Sequence, residues 1–296
     1  MRFLLFILWV LHWLPLPILG RLGKLLGTCA YYLWGHRRRI TLINLSLCFP
    51  DMPQSERELI AKKHFQAYGR SILERGILWW ASVKRIKRLI HVEPEIPYNE
   101  TRSGPVIFLC PHFVCLEIPG AIITMDSPGC SIYTEQKNKV FDAMLRKGRM
   151  RFHKDVFLFN RSQGIKPIIR ALHKGIPFLM LPDMDFGIKD AEFVPFFGIP
   201  AATLVATSRL AAVSRAKVIP VIATFLPNYQ GWKVKFYPPW DHFPTKDTLA
   251  DTRRMNEFIE QRILEAPSEY LWTHRRFKTR PQGMPPVYGK DDRNQK

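Results

Sequence analysis

Apolar and polar positions alternate along this chain in three textures. From Phe3 to Leu19 nearly every residue is apolar, with His12, Pro15 and Pro17 as the interruptions. At roughly 1.5 Å of rise per residue such a stretch is barely long enough to span a bilayer, and prolines kink or end a helix. Arg2 precedes it, Arg21, Lys24, Arg37, Arg38 and Arg39 follow, and no acidic residue occurs before Asp51. A cleaved signal peptide lacks its small-x-small site, and a helix apolar on all sides is unusual at the start of a soluble chain. The pattern predicts an N-terminal membrane-anchoring helix, spanning or monotopic. With its basic juxtamembrane segment it covers residues 1–40, the positive cluster facing the cytoplasm and anionic lipid headgroups.

The second texture is amphipathic. Leu22 to Trp34 is apolar up to the basic run at 36–39 and reads as a helix lying along a membrane. Ser55 and Glu58 have the spacing of a capping box, which predicts a helix through about Trp80 with Leu59, Ile60, Tyr68, Ile72 and Leu73 on its apolar face. Lys84, Arg85, Lys87 and Arg88 then form a basic patch, or a solvated helix face.

From Pro105 the texture becomes short apolar runs. Val106–Cys110, Ser131–Tyr133, Val156–Phe159, Pro177–Leu181, Val218–Phe225 and Trp232–Tyr237 read as strands. Ile165–His173, the Ala-rich Thr203–Ala216 and Thr248–Leu264 read as helices. Strands alternating with helices predict an α/β fold, a mixed sheet flanked by helices. With no internal repeat and no long linker, residues 41–288 form one catalytic domain, and 289–296 a polar tail.

Charge sharpens the picture. The 296 residues carry 44 Lys and Arg against 25 acidic residues, a formal net charge of +19, and 47% are hydrophobic. The apolar share supports a packed core, and the charge favours an anionic partner, nucleic acid or an acidic membrane. Nucleic-acid binding leaves the apolar N-terminus unexplained, and no recognition motif lies among the basic runs. The five cysteines are odd in number and form no CxxC pair, which fits a reducing compartment. Cys110, His112 and Cys115 suggest a metal site by spacing, but no fourth ligand at finger-like spacing follows. The competing reading is two small apolar residues packing behind a strand.

The candidate chemistry sits at strand ends. His112 and Glu117 form an H-x4-E spacing directly after Val106–Cys110. Residues five apart on one helix diverge by about 140°. A working pair therefore needs His112 in the strand–helix turn and Glu117 in the next helix. Glu117 would then orient the imidazole, whose other nitrogen takes a proton from an attacking hydroxyl. Alone the spacing is weak: a histidine satisfied by a loop carbonyl beside a solvated glutamate looks the same. Two further clusters add weight. Arg161 follows an apolar strand, with Arg149 and Arg151 upstream, and arginine suits bidentate phosphate binding. Asp183 and Asp185 follow Leu181-Pro182 at another strand end. A P-loop, a G-x-G-x-x-G fingerprint and a G-x-S-x-G elbow are all missing from the sequence.

Together these stretches resemble the late acyltransferases of lipid A biosynthesis, most closely the lauroyl acyltransferases. The resemblance runs through Arg37-Arg-Arg-Ile40, Asn44-Leu45, Cys48-Phe-Pro50, Pro111-His-Phe113 with Glu117, and Gly148-Arg-Met-Arg151. It continues through Pro182-Asp-Met-Asp-Phe-Gly187, Phe193, Phe197-Gly198 and the specific block Trp272-Thr-His-Arg-Arg-Phe-Lys-Thr-Arg-Pro281. Leu158-Phe-Asn-Arg161 also resembles the phosphate-holding block of glycerolipid acyltransferases, and Met184 departs from the Gln or His common in relatives. The resemblance implies a fatty acyl donor on acyl carrier protein and a Kdo-bearing lipid A precursor as acceptor, at the cytoplasmic face of a Gram-negative inner membrane. His112 would be the general base and Glu117 its support. Arg149, Arg151, Arg161, Asp183, Asp185, His274, Arg275 and Arg276 would bind substrate, with no metal or other cofactor needed. The C-terminal charges are expected to face outward while Trp272 and Phe277 pack. A glycerophospholipid acceptor is the alternative with the same chemistry, and a basic scaffold without catalysis is a further one.

Overall fold

The computed structural model describes residues 1–93 and 104–289, so most of the expected polar tail lies outside the described residues. The apolar N-terminus is two helices, not one. Helix α1 (Arg2–Leu11) stops at the turn before Pro15, and α2 (Leu16–Leu33) restarts with Pro17 in its first turn. Among the described residues no helix is long and apolar enough to cross a membrane. This corrects the expected spanning anchor: ten residues of α1 reach only about 15 Å, half a hydrocarbon core.

Helix α3 (Gly35–Cys48) runs through residue 40, where the sequence suggested a boundary. The long helix α4 (Gln54–Trp80) begins after Pro53, whose fixed φ starts it, and Ser55 makes no side-chain cap there. Helix α2 lies flat on α4 because their contact is made of glycines. A Cβ on Gly27 would overlap the Phe65 carbonyl, and one on Gly69 would overlap the backbone of Gly23. Helix α1 packs over α4 near Gly76, its Leu5, Leu8 and Leu11 turned inward.

Beyond these helices the order is α5 (Val83–Leu89), β1 (Ile90–Glu93), β2 (Val106–Leu109), α6 (Glu117–Asp126), β3 (Gly129–Tyr133), α7 (Lys139–Met150) and β4 (Val156–Asn160). Then come α8 (Lys166–His173), β5 (Phe178–Met180), β6 (Ala191–Phe196), β7 (Ile199–Leu204), α9 (Ala206–Ser214), β8 (Lys217–Phe225), β9 (Trp232–Phe236) and α10 (Thr248–Glu265). Among the described residues seven strands form one mixed sheet in the order β1-β9-β8-β2-β5-β3-β4, antiparallel only between β8 and β9. Helices cover both faces, as the α/β reading expected. The central strand β2 is buried along its whole length, which is why Val-Ile-Phe-Leu reads as a continuous apolar run. Because β2, β5, β3 and β4 run parallel, their C-terminal ends share one edge, where His112, Asp183 and Arg161 follow.

The stretch Thr203–Ala216, read as one helix, divides in two. Its start belongs to the hairpin of β6 and β7, closed by Phe197 and Gly198 at φ 49° and 75°. Two central residues with positive φ match the twist of a tight hairpin.

Candidate active site

The loop between β2 and α6 is strapped from both sides. Cys110 N–H donates to the Met180 carbonyl on β5, Val114 N–H to Glu269, and Leu271 N–H to the His112 carbonyl. Phe113 pairs as an isolated bridge with Tyr270. The loop therefore has one conformation, and it aims His112 at the end of β5.

There His112 meets Asp183, not Glu117. Its Nδ1 lies 2.7 Å from Asp183 Oδ1, and its own backbone N–H donates to Oδ2 at 3.0 Å. The Asp183 side chain is fully buried, and that of His112 is 13% exposed. Burial pushes the Asp183 carboxyl up, but the His112 ring and these hydrogen bonds outweigh it and hold it below the ordinary value. An ionised carboxylate is acceptor-only, so Nδ1 carries the hydrogen that faces it, and in the neutral ring Nε2 then carries the lone pair. Asp183, expected at a substrate surface, is the partner expected of Glu117.

Glu117 opens α6 and faces α7 instead. Arg149 grips it with two nitrogens: Nε to Oε2 at 3.0 Å and Nη2 to Oε1 at 2.5 Å. Burial would raise the Glu117 carboxyl, but Arg149, with Arg75 behind it, brings it down to about 2. The pair therefore stands as carboxylate and guanidinium, the geometry in which such contacts are strongest. Arg149 also lies over the Tyr133 ring at 5.6 Å.

Glu117 and Arg149 form the polar part of a cleft of about 800 Å3, open solvent at its mouth included. The remaining wall is apolar or small, with Leu78 and Trp79 from α4, Gly120 and Thr124 from α6, and Cys130 and Ile132 from β3 among its residues. Cys110, two residues before His112, lines it too. Burial pushes the Cys110 and Cys130 thiols well up, so both behave as small apolar groups. No sequence signal marked this cleft. Its small residues, Gly120 and Gly148, sit at helical positions where only packing shows their use.

The other candidates scatter. Arg151 caps the end of α4, donating to the carbonyls of Leu78 and Ala81. Arg161 is exposed, its guanidinium 4.0 Å from the centre of the Phe186 ring. Asp185 is buried and accepts from Gly187 N–H and from both Thr279 N–H and Oγ1–H. His274 accepts from Asp185 N–H, and burial lowers it to about 4, so it is neutral. Arg276 is buried and donates to Ala202 O and Thr203 Oγ1, while Arg275 reaches His36. For Asp185, His274, Arg275 and Arg276 the cause is shared: the C-terminal block is a clasp. Asn44 of α3 binds the carbonyls of Trp272 and His274, and Tyr288 ties Asn44 to Phe277. Of the expected outward charges only Lys278 is exposed, and its Nζ still reaches the Asp185 carbonyl.

Comparison with known proteins adds a family. A model described as bacterial lipid A biosynthesis acyltransferase matches residues 2–279. The lipid A biosynthesis lauroyltransferase of Escherichia coli K12 is 33% identical over 285 residues, covering 95% of this chain and 92% of that one. A lipid A biosynthesis acyltransferase of Haemophilus influenzae is 34% identical over 277 residues, covering 92% and 88%. The lipid A biosynthesis palmitoleoyltransferase of E. coli K12 is 32% identical over 285 residues, covering 95% and 92%.

Proposed function

The chain belongs to the bacterial lipid A biosynthesis acyltransferase family, and from that premise we propose that it moves a fatty acyl chain from acyl carrier protein onto a hydroxyl of a Kdo-bearing lipid A precursor. Acyl transfer onto lipid A is the reaction of the family. The donor, the acceptor's sugar and the roles below are our reading. One observation carries it: the His112–Asp183 pair and the polar end of an apolar cleft share one loop, 110–117.

In this mechanism the acyl chain lies in the cleft with its thioester at the Glu117–Arg149 end. His112 Nε2 takes the proton of the acceptor hydroxyl, and the oxygen attacks the thioester carbonyl. The tetrahedral intermediate collapses, the C–S bond breaks, and the leaving thiolate takes the proton back from the imidazolium. The products are an ester and a free thiol. Asp183 holds the imidazole tautomer and supports its charge. Glu117 occupies two nitrogens of Arg149, leaving Nη1 to face an anionic oxygen of donor or acceptor. Arg161, beside the exposed Phe186 at the sheet's open edge, is placed to meet an acceptor phosphate.

Purified protein, acyl carrier proteins charged with chains of different length, and lipid A precursors with and without Kdo test this directly. The expected result is one added acyl chain by mass, on the Kdo-bearing acceptor, from the carrier-protein donor. Equal use of a coenzyme A thioester would defeat the donor assignment, and transfer onto lysophospholipid instead would defeat the acceptor.

The two N-terminal helices give the protein a surface for the lipid phase. Phe3, Phe6 and Trp13 of the α1 region, and Ile18, Leu25 and Leu33 of α2, are all exposed, with Arg2, Arg21 and Lys24 also exposed. We read this as a monotopic contact: apolar side chains enter the interface and cations meet anionic headgroups. Changing Phe3 and Phe6 together to Ser is expected to lower affinity for vesicles containing phosphatidylglycerol, read by co-sedimentation, by about a hundredfold or more, since each buried aromatic contributes roughly 1.5–3 kcal/mol. Unchanged vesicle binding by the folded variant would move the contact elsewhere.

A further inference from the structure

A second, smaller cavity, about 260 Å3 with open solvent at its mouth included, shares only Leu78 and Glu117 with the acyl cleft. Its other walls include Glu74 and Arg75 on α4, Cys115 on the catalytic loop and Trp232 at the start of β9. Two polar atoms among its lining residues lack a partner among the described residues: Glu74 Oε2 and Arg75 Nε, both shut off from solvent. Glu74 itself is 1% exposed. Its other oxygen accepts from Arg70 Nε at 2.9 Å, and the Trp232 side chain on the cavity wall also favours the carboxylate, which leaves Oε2 short of a well-formed donor.

Buried polar groups are almost always satisfied, by protein or by ordered water. Here a cavity with polar atoms on its walls has room for water, and such water makes about three hydrogen bonds. Arg75 and Glu117 also sense each other: the Arg75 charge helps hold the Glu117 carboxyl down, yet no direct ion pair joins them among the described residues. A polar interaction across such a gap is the situation in which water bridges. Glu74, pushed by burial up to about 7, offers that water either a donor or an acceptor.

We propose that this cavity holds ordered water that ties Arg75 and Glu74 to the rear of Glu117, making Arg75 a second positioning residue of the Glu117–Arg149 pair. Arg149 grips the carboxylate from the cleft side, and Arg75 steadies it through water from the cavity side. With both in place, Glu117 holds the Arg149 guanidinium at one angle to the reacting thioester. Arg75 touches neither the cleft nor substrate, so its effect passes through Glu117. The inference rests on the reading that the Glu117–Arg149 pair serves transfer.

A double-mutant cycle in the full-length protein tests it. Arg75→Met removes the charge while keeping bulk, and Arg75→Lys keeps the charge. Arg75→Met is expected to lower kcat about tenfold in the native background, with acceptor KM little changed, and to change it by no more than about twofold in a Glu117→Gln background. Arg75→Lys should recover most of the loss. Ordered water within hydrogen-bond distance of Arg75 Nε and Glu74 Oε2 is expected in a high-resolution crystal structure. Equal losses in the two backgrounds, with equal losses of melting temperature, would make Arg75 merely structural and overturn the proposal, as would a dry cavity. Full turnover by Arg75→Met beside an impaired Glu117→Gln sinks this inference alone. Full turnover by Glu117→Gln sinks the parent reading and this one with it.

Discussion

His112→Ala protein is expected to lose acyl transfer by about 10²–10⁴-fold, the range a positioned general base supplies. Glu117, Asp183 and His274, the titratable groups gathered around it, are not placed to replace it. Glu117 is committed to Arg149 and sits near 2, too weak a base for a hydroxyl. Asp183 is buried beneath the imidazole and reaches no substrate. His274 is neutral, but its Nε2 is occupied by Asp185 N–H. Stability should fall as well, because the variant leaves the buried Asp183 without its ring partner, and an uncompensated buried charge is costly. The backbone N–H of residue 112 still reaches that carboxylate, which limits the damage. Single-turnover rates per folded molecule, measured beside thermal melts, therefore decide the matter. A folded fraction with near-native turnover would end the general-base mechanism and leave catalysis by proximity alone.

Much of the fold was legible because buried parallel strands are continuous apolar runs. Val106–Leu109, Phe178–Met180 and Lys217–Phe225 fall within a residue or two of their expected spans. Legibility failed where composition and conformation disagree. Thr203 and Leu204 were read into the Ala-rich helix that follows, although the Phe197-Gly198 turn that makes Ile199–Leu204 a strand was present in the sequence. The spanning form of the anchor failed for a different reason. Its apolar residues were counted as one stretch, whereas Pro15 and Pro17 divide it into two helices that spread on α4.

The site was legible as a set of residues but not as a set of pairs. Sequence placed His112 and Asp183 at strand ends, Glu117 in the helix that follows and Arg149 upstream of a strand, and the structure brings all four to the same edge. Spacing along the chain then suggested His112 with Glu117, five residues apart. The sheet order suggests otherwise: β2 and β5 are neighbours, so the residues just past their ends meet, and Asp183 lies 71 positions from His112. Arg276 shows a second limit. A run of cations reads as a solvated face, and nothing in the run marks the one whose guanidinium is buried over Phe196 at 5.0 Å.

The His112–Asp183 pair makes its own prediction. Asp183→Asn should cost about 10²–10⁴-fold in kcat, a loss as large as that of the base itself. The cause is the tautomer. Asp183 presents two acceptor oxygens, one to the backbone N–H of His112 at 3.0 Å and one to the ring Nδ1 at 2.7 Å. An amide has one oxygen and one NH2. If its oxygen keeps the backbone contact, its NH2 faces Nδ1 and can bond only to a lone pair there. The ring hydrogen then moves to Nε2, the atom that must accept the hydroxyl proton. If the amide turns over, the ring keeps its tautomer but a backbone N–H faces NH2 in a buried site, at a cost of roughly 1–3 kcal/mol. In either case the charge that supports imidazolium is gone. Acceptor KM should change little, because the Asp183 side chain is fully buried beneath the imidazole. That separates this role from a substrate-binding one, for which KM would rise while kcat held. Imidazole 15N shifts should report the tautomer directly: protonated Nδ1 in the native protein, protonated Nε2 in the variant. An Asp183→Asn enzyme with native kcat, or one that loses only acceptor affinity, would return Asp183 to the substrate surface and leave His112 without an orienting partner.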